Sequence, residues 1–169
     1  MKLKSQPAFT LLETIIVLFV VAIGMTAVLS LTVSSLRIST NNRNTLVAYH
    51  LAEEGIELIQ NVRDSNWLGG YAFDQSISDA STVLGTGYVV DYANFTPVAT
   101  ANMSLAKIQN ASPSLMYLHN SGVPDSIFSR LITIYETSSA ITISSVVEWK
   151  DRGGTYQVEL DKNIYDWNY

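Results

Sequence analysis

The N-terminal part of the chain contains a long apolar run that no charge interrupts. Between Glu13 and Arg37 lie 23 uncharged residues, 14–36, which are rich in Ile, Val, Leu, Phe and Ala. At a rise of 1.5 Å per residue, an α-helix of this length measures about 35 Å, enough to cross a hydrocarbon core of about 30 Å. The pattern therefore predicts a membrane-spanning helix near the N-terminus.

A second helical pattern, amphipathic this time, follows the first. Residues 37–45 are polar and poor in helix propensity, so they predict the exit from the membrane. Across residues 46–63 the apolar side chains share one arc of roughly 200° on a helical wheel: Val47, Ala48, Tyr49, Leu51, Ala52, Ile56, Leu58, Ile59 and Val62. This arc is wider than one sheet contact needs, which favours a helix covered by its own domain on one side and by partner helices on another.

The pattern after Asp64 is that of loops and strands. Residues 64–82 carry Gly69-Gly70 and many Ser and Asp residues, so they predict a loop. Runs rich in β-branched and aromatic residues predict strands at Tyr88–Tyr92, Phe128–Glu136, Ile141–Trp149 and Thr155–Asp161. Residues 150–154 supply turn chemistry between the last two strands, which predicts a hairpin. Residues 93–125 hold three of the four prolines and predict irregular structure.

Together these elements predict an α+β fold, in which a long N-terminal helix packs on a small antiparallel sheet. Within the predicted hairpin, apolar residues alternate, with Ile141, Ile143, Val147 and Trp149 on one face of the first strand, then Tyr156, Val158 and Leu160 on the second.

Lys2 and Lys4 precede the apolar run, so the positive-inside rule places the N-terminus in the cytoplasm and the bulk of the chain outside.

Composition argues against several classes of function. The chain has no Cys, which excludes disulfide scaffolds, Cys-ligated metals and thiol nucleophiles. Its two His residues, at positions 50 and 119, leave little material for a metal site or a catalytic triad. A net charge of -5 provides no excess cation for a nucleic-acid backbone. We therefore expect no enzyme, no metal or other cofactor and no nucleic-acid binding.

Glu13 is the residue that fits its surroundings least. A carboxylate costs about 2.5–3.5 kcal/mol at the centre of a bilayer, which makes such a residue a functional candidate. It needs a cation, and no basic residue lies within two helical turns on its C-terminal side. Cleavage between Ala8 and Phe9 would create an α-amino group four residues before Glu13, on the same chain or on a neighbour.

The N-terminal segment resembles the type IV prepilin signature: a short basic leader, a small residue, Phe9-Thr10-Leu11-Leu12-Glu13 and a long apolar helix. Pilins, minor pilins and the pseudopilins of type II secretion share this signature. The resemblance implies that a prepilin peptidase cleaves between Ala8 and Phe9 and methylates the new amine of Phe9. It also implies that Glu13 neutralises the N-terminus of an adjacent subunit during assembly. Ala8 stands where the family usually has Gly.

The resemblance further implies how the chain is divided and where it acts. Residues 1–8 are the leader, 9–36 the transmembrane and assembly half of the helix, 37–63 its amphipathic half and 64–169 an extracytoplasmic β-rich domain. The partners would be other pilin subunits in a helix bundle, the prepilin peptidase, an inner-membrane assembly platform and, before assembly, membrane lipid. The protein would span the cytoplasmic membrane once and then join an extracellular or periplasmic filament, as a pilin or a minor pilin.

The residues leave other readings open. The helix could be a simple anchor for an extracellular binding or adhesion module that uses loops 93–125. His50 beside Glu53, Glu54 and Glu57 could hold a divalent ion, but a solvated acidic face explains the pattern better, because no second His converges there. Several aromatic residues could form a sugar-binding surface, although packing in the core or at a sheet edge explains most of them better: Trp67, Trp149, Tyr165, Trp167 and Tyr169.

Overall fold

The computed structural model describes residues 10–77, 86–92, 94–100, 106–111, 116–118, 125–137, 140–151 and 154–166. These residues form one α-helix and a seven-stranded antiparallel sheet. The elements are α1 (Leu11–Gly69), β1 (Thr86–Asp91), β2 (Asn94–Thr100), β3 (Ala106–Ala111), β4 (Met116–Leu118), β5 (Asp125–Thr137), β6 (Ala140–Asp151) and β7 (Gly154–Tyr165). The predicted α+β arrangement of a long helix on an antiparallel sheet is confirmed.

The chain divides into two compact units, Met1–Arg43 and Asn44–Tyr169. In the first unit, every residue from position 11 to position 40 is exposed. Four threonine hydroxyls in this stretch donate hydrogen bonds to carbonyls one turn earlier: Thr14 to Thr10, Thr26 to Ile23, Thr32 to Val28 and Thr40 to Leu36. These polar groups are therefore satisfied inside the helix, as an apolar surrounding requires. By length and composition, α1 could cross a membrane.

The prediction of a loop over residues 64–82 is wrong for residues 64–69, because α1 continues to Gly69. Residues 37–45 are helical as well, despite their poor helix propensity. No Gly or Pro occurs from residue 25 to residue 54, so weak propensity alone does not stop the helix. The stop signal is Gly70, whose φ of 70° is the left-handed conformation of a Schellman cap. The cap's two hydrogen bonds run from the Tyr71 N–H to the Asn66 carbonyl (2.9 Å) and from the Gly70 N–H to the Trp67 carbonyl (3.1 Å).

Strands β5, β6 and β7 form the continuous half of the sheet. β5 and β6 pair from Phe128↔Trp149 to Thr137↔Ala140 without a shift in register. β6 and β7 pair from Ala140↔Tyr165 to Asp151↔Gly154. The hairpin predicted between the last two strands is confirmed, although the two residues between positions 151 and 154 lie outside the described residues.

The other edge of β5 is divided between two hairpins. Its C-terminal part pairs with β1, as in Tyr88↔Ile132, and its N-terminal part pairs with β3, as in Ala106↔Arg130. β2 pairs with β1 and β4 pairs with β3. Because β6 pairs with one edge of β5 from Phe128 to Thr137, β1 and β3 follow one another along the opposite edge. The sheet therefore forks at β5.

The prediction that residues 93–125 are irregular is wrong, because β2, β3 and β4 fall within them. Pro97 lies inside β2, which pairs only with β1 among the described strands. It also falls where the register of β1 and β2 shifts between Val89 and Asp91. Proline is tolerated at such an edge or bulge, because no ladder hydrogen bond is required from its nitrogen.

Helix α1 packs on the sheet through the arc that the sequence predicts. The buried helix residues are Ala48, Leu51, Ala52, Gly55, Ile56, Leu58 and Ile59. Tyr49, at the margin of the arc, is 48% exposed. Gly55 lies at the closest approach, because a Cβ atom there would be 2.9 Å from the Ser145 hydroxyl oxygen and 3.0 Å from Cδ1 of Ile132. The absence of a side chain at position 55 lets the helix lie directly on β5 and β6.

Arg130 is a charged side chain in the centre of this interface, only 1% exposed. Its Nη1 donates to the Leu51 carbonyl of α1 (2.7 Å) and its Nη2 to the Val90 carbonyl of β1 (2.7 Å). Nη1 also lies 3.5 Å from Oε1 of Glu54. A continued β1–β5 register would place Val90 opposite Arg130. Arg130 instead pairs with Ala106 of β3. The guanidinium thus provides a partner for Val90 at the point where β1 leaves β5.

We predict that Arg130→Met lowers the free energy of unfolding by about 3 kcal/mol, because removing one partner of a buried charge or hydrogen bond leaves the other group unsatisfied. The matched control is Lys162→Met on β7, which removes an exposed cation. Denaturant unfolding of the full-length protein in detergent, followed by tryptophan fluorescence, measures both variants. Equal stability of Arg130→Met and the wild type would contradict the role given to the guanidinium.

Candidate functional site

The first turn of α1 contains the residues that the sequence singles out. Thr10 precedes the first helical residue, Leu11, and occupies the N-cap position. The Glu13 N–H lies 3.3 Å from the Thr10 hydroxyl oxygen and 3.0 Å from the Thr10 carbonyl oxygen, and both accept from it. Thr at the N-cap with Glu three residues later is the capping-box pattern, which satisfies backbone donors that the helix leaves free. Local sequence therefore sets where α1 begins.

Glu13 is exposed in this first turn. A carboxylate is favoured there, because the N-terminal end of a helix carries a partial positive charge. Among the described residues no cationic group lies within ion-pair distance of Glu13. The two residues of the predicted cleavage site, Ala8 and Phe9, lie outside the described residues. Their roles and the pairing of Glu13 stay predictions.

The surface that follows Glu13 is apolar around the whole circumference of the helix. Its exposed large side chains are Ile15, Ile16, Val17, Leu18, Phe19, Val20, Val21, Ile23, Met25, Val28, Leu29, Leu31, Val33 and Leu36. A helix that is apolar on all sides is stable only when lipid or other helices surround it. This segment can therefore embed in a membrane or in a bundle of helices, and Glu13 lies at its N-terminal end.

The other candidate sites do not assemble in the described residues. His50 Nδ1 lies 3.7 Å from Oε2 of Glu53, and both side chains are well exposed. Glu54 turns instead toward Arg130. No group of three or more His, Asp or Glu side chains in the described part of the chain is arranged to hold a metal ion.

The aromatic residues do not form one surface. Trp149 is 2% exposed and lies in the core, where its ring stacks on Tyr156 with centroids 5.6 Å apart. Trp67 is half-buried beneath the Arg63 guanidinium, 4.7 Å from the ring centroid. Tyr165 is exposed at the end of β7, and positions 167–169 lie outside the described residues. For Trp149, the prediction of core packing is confirmed.

Sequence reasoning missed two residues that position these elements. Thr10 carries a visible signal, the Thr-x-x-Glu spacing before an apolar run. Arg130 carries a weaker one, since it falls in phase with the buried residues Phe128 and Ile132 of β5. A cation at an inward position of an otherwise apolar strand indicates a buried polar contact.

We predict that Thr10→Val speeds amide hydrogen exchange in the first turn of α1 by about fivefold, because loss of an N-cap hydroxyl costs about 1 kcal/mol. Thr10→Ser is the matched control, because it keeps the accepting oxygen and should leave the exchange rates near the wild type. NMR of the full chain in detergent micelles measures both. Unchanged exchange at Glu13 in the valine variant would show that the hydroxyl does not cap the helix.

Comparison with known proteins identifies the N-terminal segment. Residues 3–29 match the family described as the prokaryotic N-terminal methylation motif. No curated protein and no solved structure matches the chain. The matched range contains both Thr10 and Glu13 and most of the apolar run. The chain therefore carries the type IV prepilin signature, which supports a pilin-like protein derived from a prepilin.

Proposed function

We propose that this protein is a structural subunit of a type IV pilus or of a related type II secretion-like filament. It is made as a membrane-anchored prepilin, cleaved between Ala8 and Phe9, and assembled through its N-terminal helix. The observation that carries this proposal is the exposed apolar surface of α1, which begins immediately C-terminal to Glu13 within the matched motif. The motif points to a class of structural proteins rather than to enzymes.

The charges at the N-terminus support the order of events. Lys2 and Lys4 precede the apolar run, so the leader 1–8 stays on the cytoplasmic side of the membrane. A prepilin peptidase acting on that side would cut before Phe9 and methylate its amine. Lipid surrounds the apolar helix before assembly, and the helices of other pilin subunits replace the lipid when an inner-membrane assembly platform adds the subunit to the filament.

Glu13 explains why an isolated anchor is a poorer account. In a simple anchor, only the partial positive charge of the helix end offsets the cost of a carboxylate at the membrane threshold. In a bundle of helices, the α-amino group of Phe9 on a neighbouring copy would supply the missing cation. Such a pair is strong in a low dielectric, and leaving one of its members unpaired costs about 3–5 kcal/mol. A cost of that size at every contact between neighbouring subunits would decide whether a subunit is incorporated.

We predict that the subunit in sheared filaments begins at Phe9 and carries one added methyl group. Removing Lys2 and Lys4 leaves eight basic and fifteen acidic side chains, so the formal side-chain charge changes from -5 to -7. Intact-mass analysis measures the N-terminus, with Ala8→Gly as a control that restores the residue usual in the family and should be cleaved as well. An N-terminus at Met1, or beyond Leu29, would contradict the proposed maturation.

We predict that Glu13→Gln is cleaved normally and reaches normal membrane levels, but does not enter filaments. The amide keeps the shape of the side chain and removes only its charge. Glu148→Gln on β6 is the matched control and should assemble like the wild type. Immunoblots of the membrane and sheared-filament fractions measure both steps. If Glu13→Gln is incorporated at the wild-type level, a membrane-tethered binding module with the helix as a simple anchor becomes the better account.

A further inference from the structure

Helix α1 separates its charges along its length. From residue 14 to residue 52 its only charged side chains are Arg37 and Arg43, whereas Glu53, Glu54 and Glu57 follow within five residues. The last two charged residues of the helix, Arg63 and Asp64, form an ion pair with each other, with Nη2 and Oδ1 2.7 Å apart. The helix thus has a basic segment and an acidic segment, defined here as residues 37–43 and 53–57.

The basic segment has no acidic partner of its own. Side chains interact along a helix three or four residues apart, and these positions around Arg37 and Arg43 are Val33, Ser34, Ser39, Thr40, Asn41, Leu46 and Val47. Both arginines are exposed, and neither forms an ion pair within the described residues. Their charges are therefore available to another molecule.

The acidic segment is arranged unfavourably for an isolated helix. Glu53 and Glu57 are four residues apart, a spacing at which like charges destabilise a helix by a few tenths of a kcal/mol. Both are exposed, and in the described part of the chain the only counterpart near them is His50, 3.7 Å from Glu53. Glu54 differs, because it is held by the buried Arg130.

The centres of the two segments lie fifteen residues apart along the helix. Arg43 and Glu57 are fourteen residues apart in the sequence, and Arg37 and Glu53 are sixteen apart. If two parallel copies of the helix are offset by about fifteen residues, both pairs align to within one residue, or about 1.5 Å. The same offset places residues 29–36 of one copy beside residues 14–21 of the other. Both ranges are uncharged; residues 14–21 are apolar except for Thr14, and half of residues 29–36 are Ser or Thr.

We propose that a second copy of this chain docks parallel to α1 at this offset, with Arg43 and Arg37 of one copy paired to Glu57 and Glu53 of the other. This inference rests on the proposed function, in which parallel copies form a helix bundle. It adds a contact that Glu13 does not make, since pairing of Glu13 with a neighbouring Phe9 requires an offset of only four residues. The two contacts therefore join a subunit to different neighbours.

A charge-reversal cycle tests the pairing in the full-length protein produced in its filament-forming cell. Arg43→Glu and Glu57→Arg should each reduce the amount of subunit in sheared filaments about tenfold, because each places like charges together at every joint. The double variant should return to within about twofold of the wild type. Lys162→Glu and Asp161→Arg, both at exposed positions of β7, are the matched controls and should assemble normally.

Cross-linking measures the offset directly, because the natural chain contains no Cys. Cells producing Arg43→Cys and Glu57→Cys copies together should yield a cross-linked dimer when filaments are treated with a short bis-maleimide. Arg43→Cys together with Lys162→Cys should yield none.

If the single reversals assemble like the wild type, or if the double variant stays defective and no dimer forms, the proposed offset is wrong. A defect of Glu13→Gln in the same assay would then leave the filament function standing. Absence of the wild-type protein itself from sheared filaments would overturn the filament function together with the offset.

Discussion

The globular unit depends on one buried guanidinium. Arg130 contacts the Leu51 carbonyl of α1, the Val90 carbonyl of β1 and the carboxylate of Glu54 while remaining 1% exposed. A buried charge is tolerated only when its surroundings supply hydrogen bonds, so this side chain dictates how the helix and the forked sheet meet. Gly55 completes the contact, because its missing side chain lets the helix approach β5 and β6 closely enough for Arg130 to reach Leu51.

The two parts of α1 meet opposite physical requirements with one backbone conformation. In residues 11–40 every side chain is exposed, and threonine hydroxyls are satisfied by the helix's own carbonyls. In residues 44–69 one face is buried by the sheet, and the polar face carries the acidic segment. The first stretch is stable only in an apolar surrounding that the isolated chain does not provide. This requirement is what makes a role in a membrane and then in a bundle of helices physically reasonable.

The first turn connects helix formation to the proposed assembly. Thr10 caps α1 through the Glu13 N–H, so the residue that supplies the charge also belongs to the unit that starts the helix. A carboxylate held in this position is favoured by the helix end and opposed by the apolar residues that follow. In the proposed assembly, a cation from another chain would shift this balance. A subunit built in this way would be stable alone in the membrane and more stable beside a neighbour.

What the sequence determined by itself is local. Periodicity was sufficient to predict the apolar run, the buried arc of the amphipathic segment, the hairpin of β6 and β7 and the inward position of Trp149, because each depends on residues close together in the chain. The proposed cleavage and assembly residues likewise follow from the Phe9–Glu13 motif alone, and residues 3–29 match the prokaryotic N-terminal methylation motif. Even the end of the helix has a local cause, the left-handed Gly70.

Only the tertiary structure decided how distant segments pair. Strands β2, β3 and β4 have weak patterns, and Pro97 argues against a strand until its edge position and the neighbouring register shift are known. The fork at β5 and the burial of Arg130 join residues as far apart as Leu51, Val90 and Arg130. Strand pairing and the burial of a charge depend on what the rest of the chain places opposite them, and no local window of sequence contains that information.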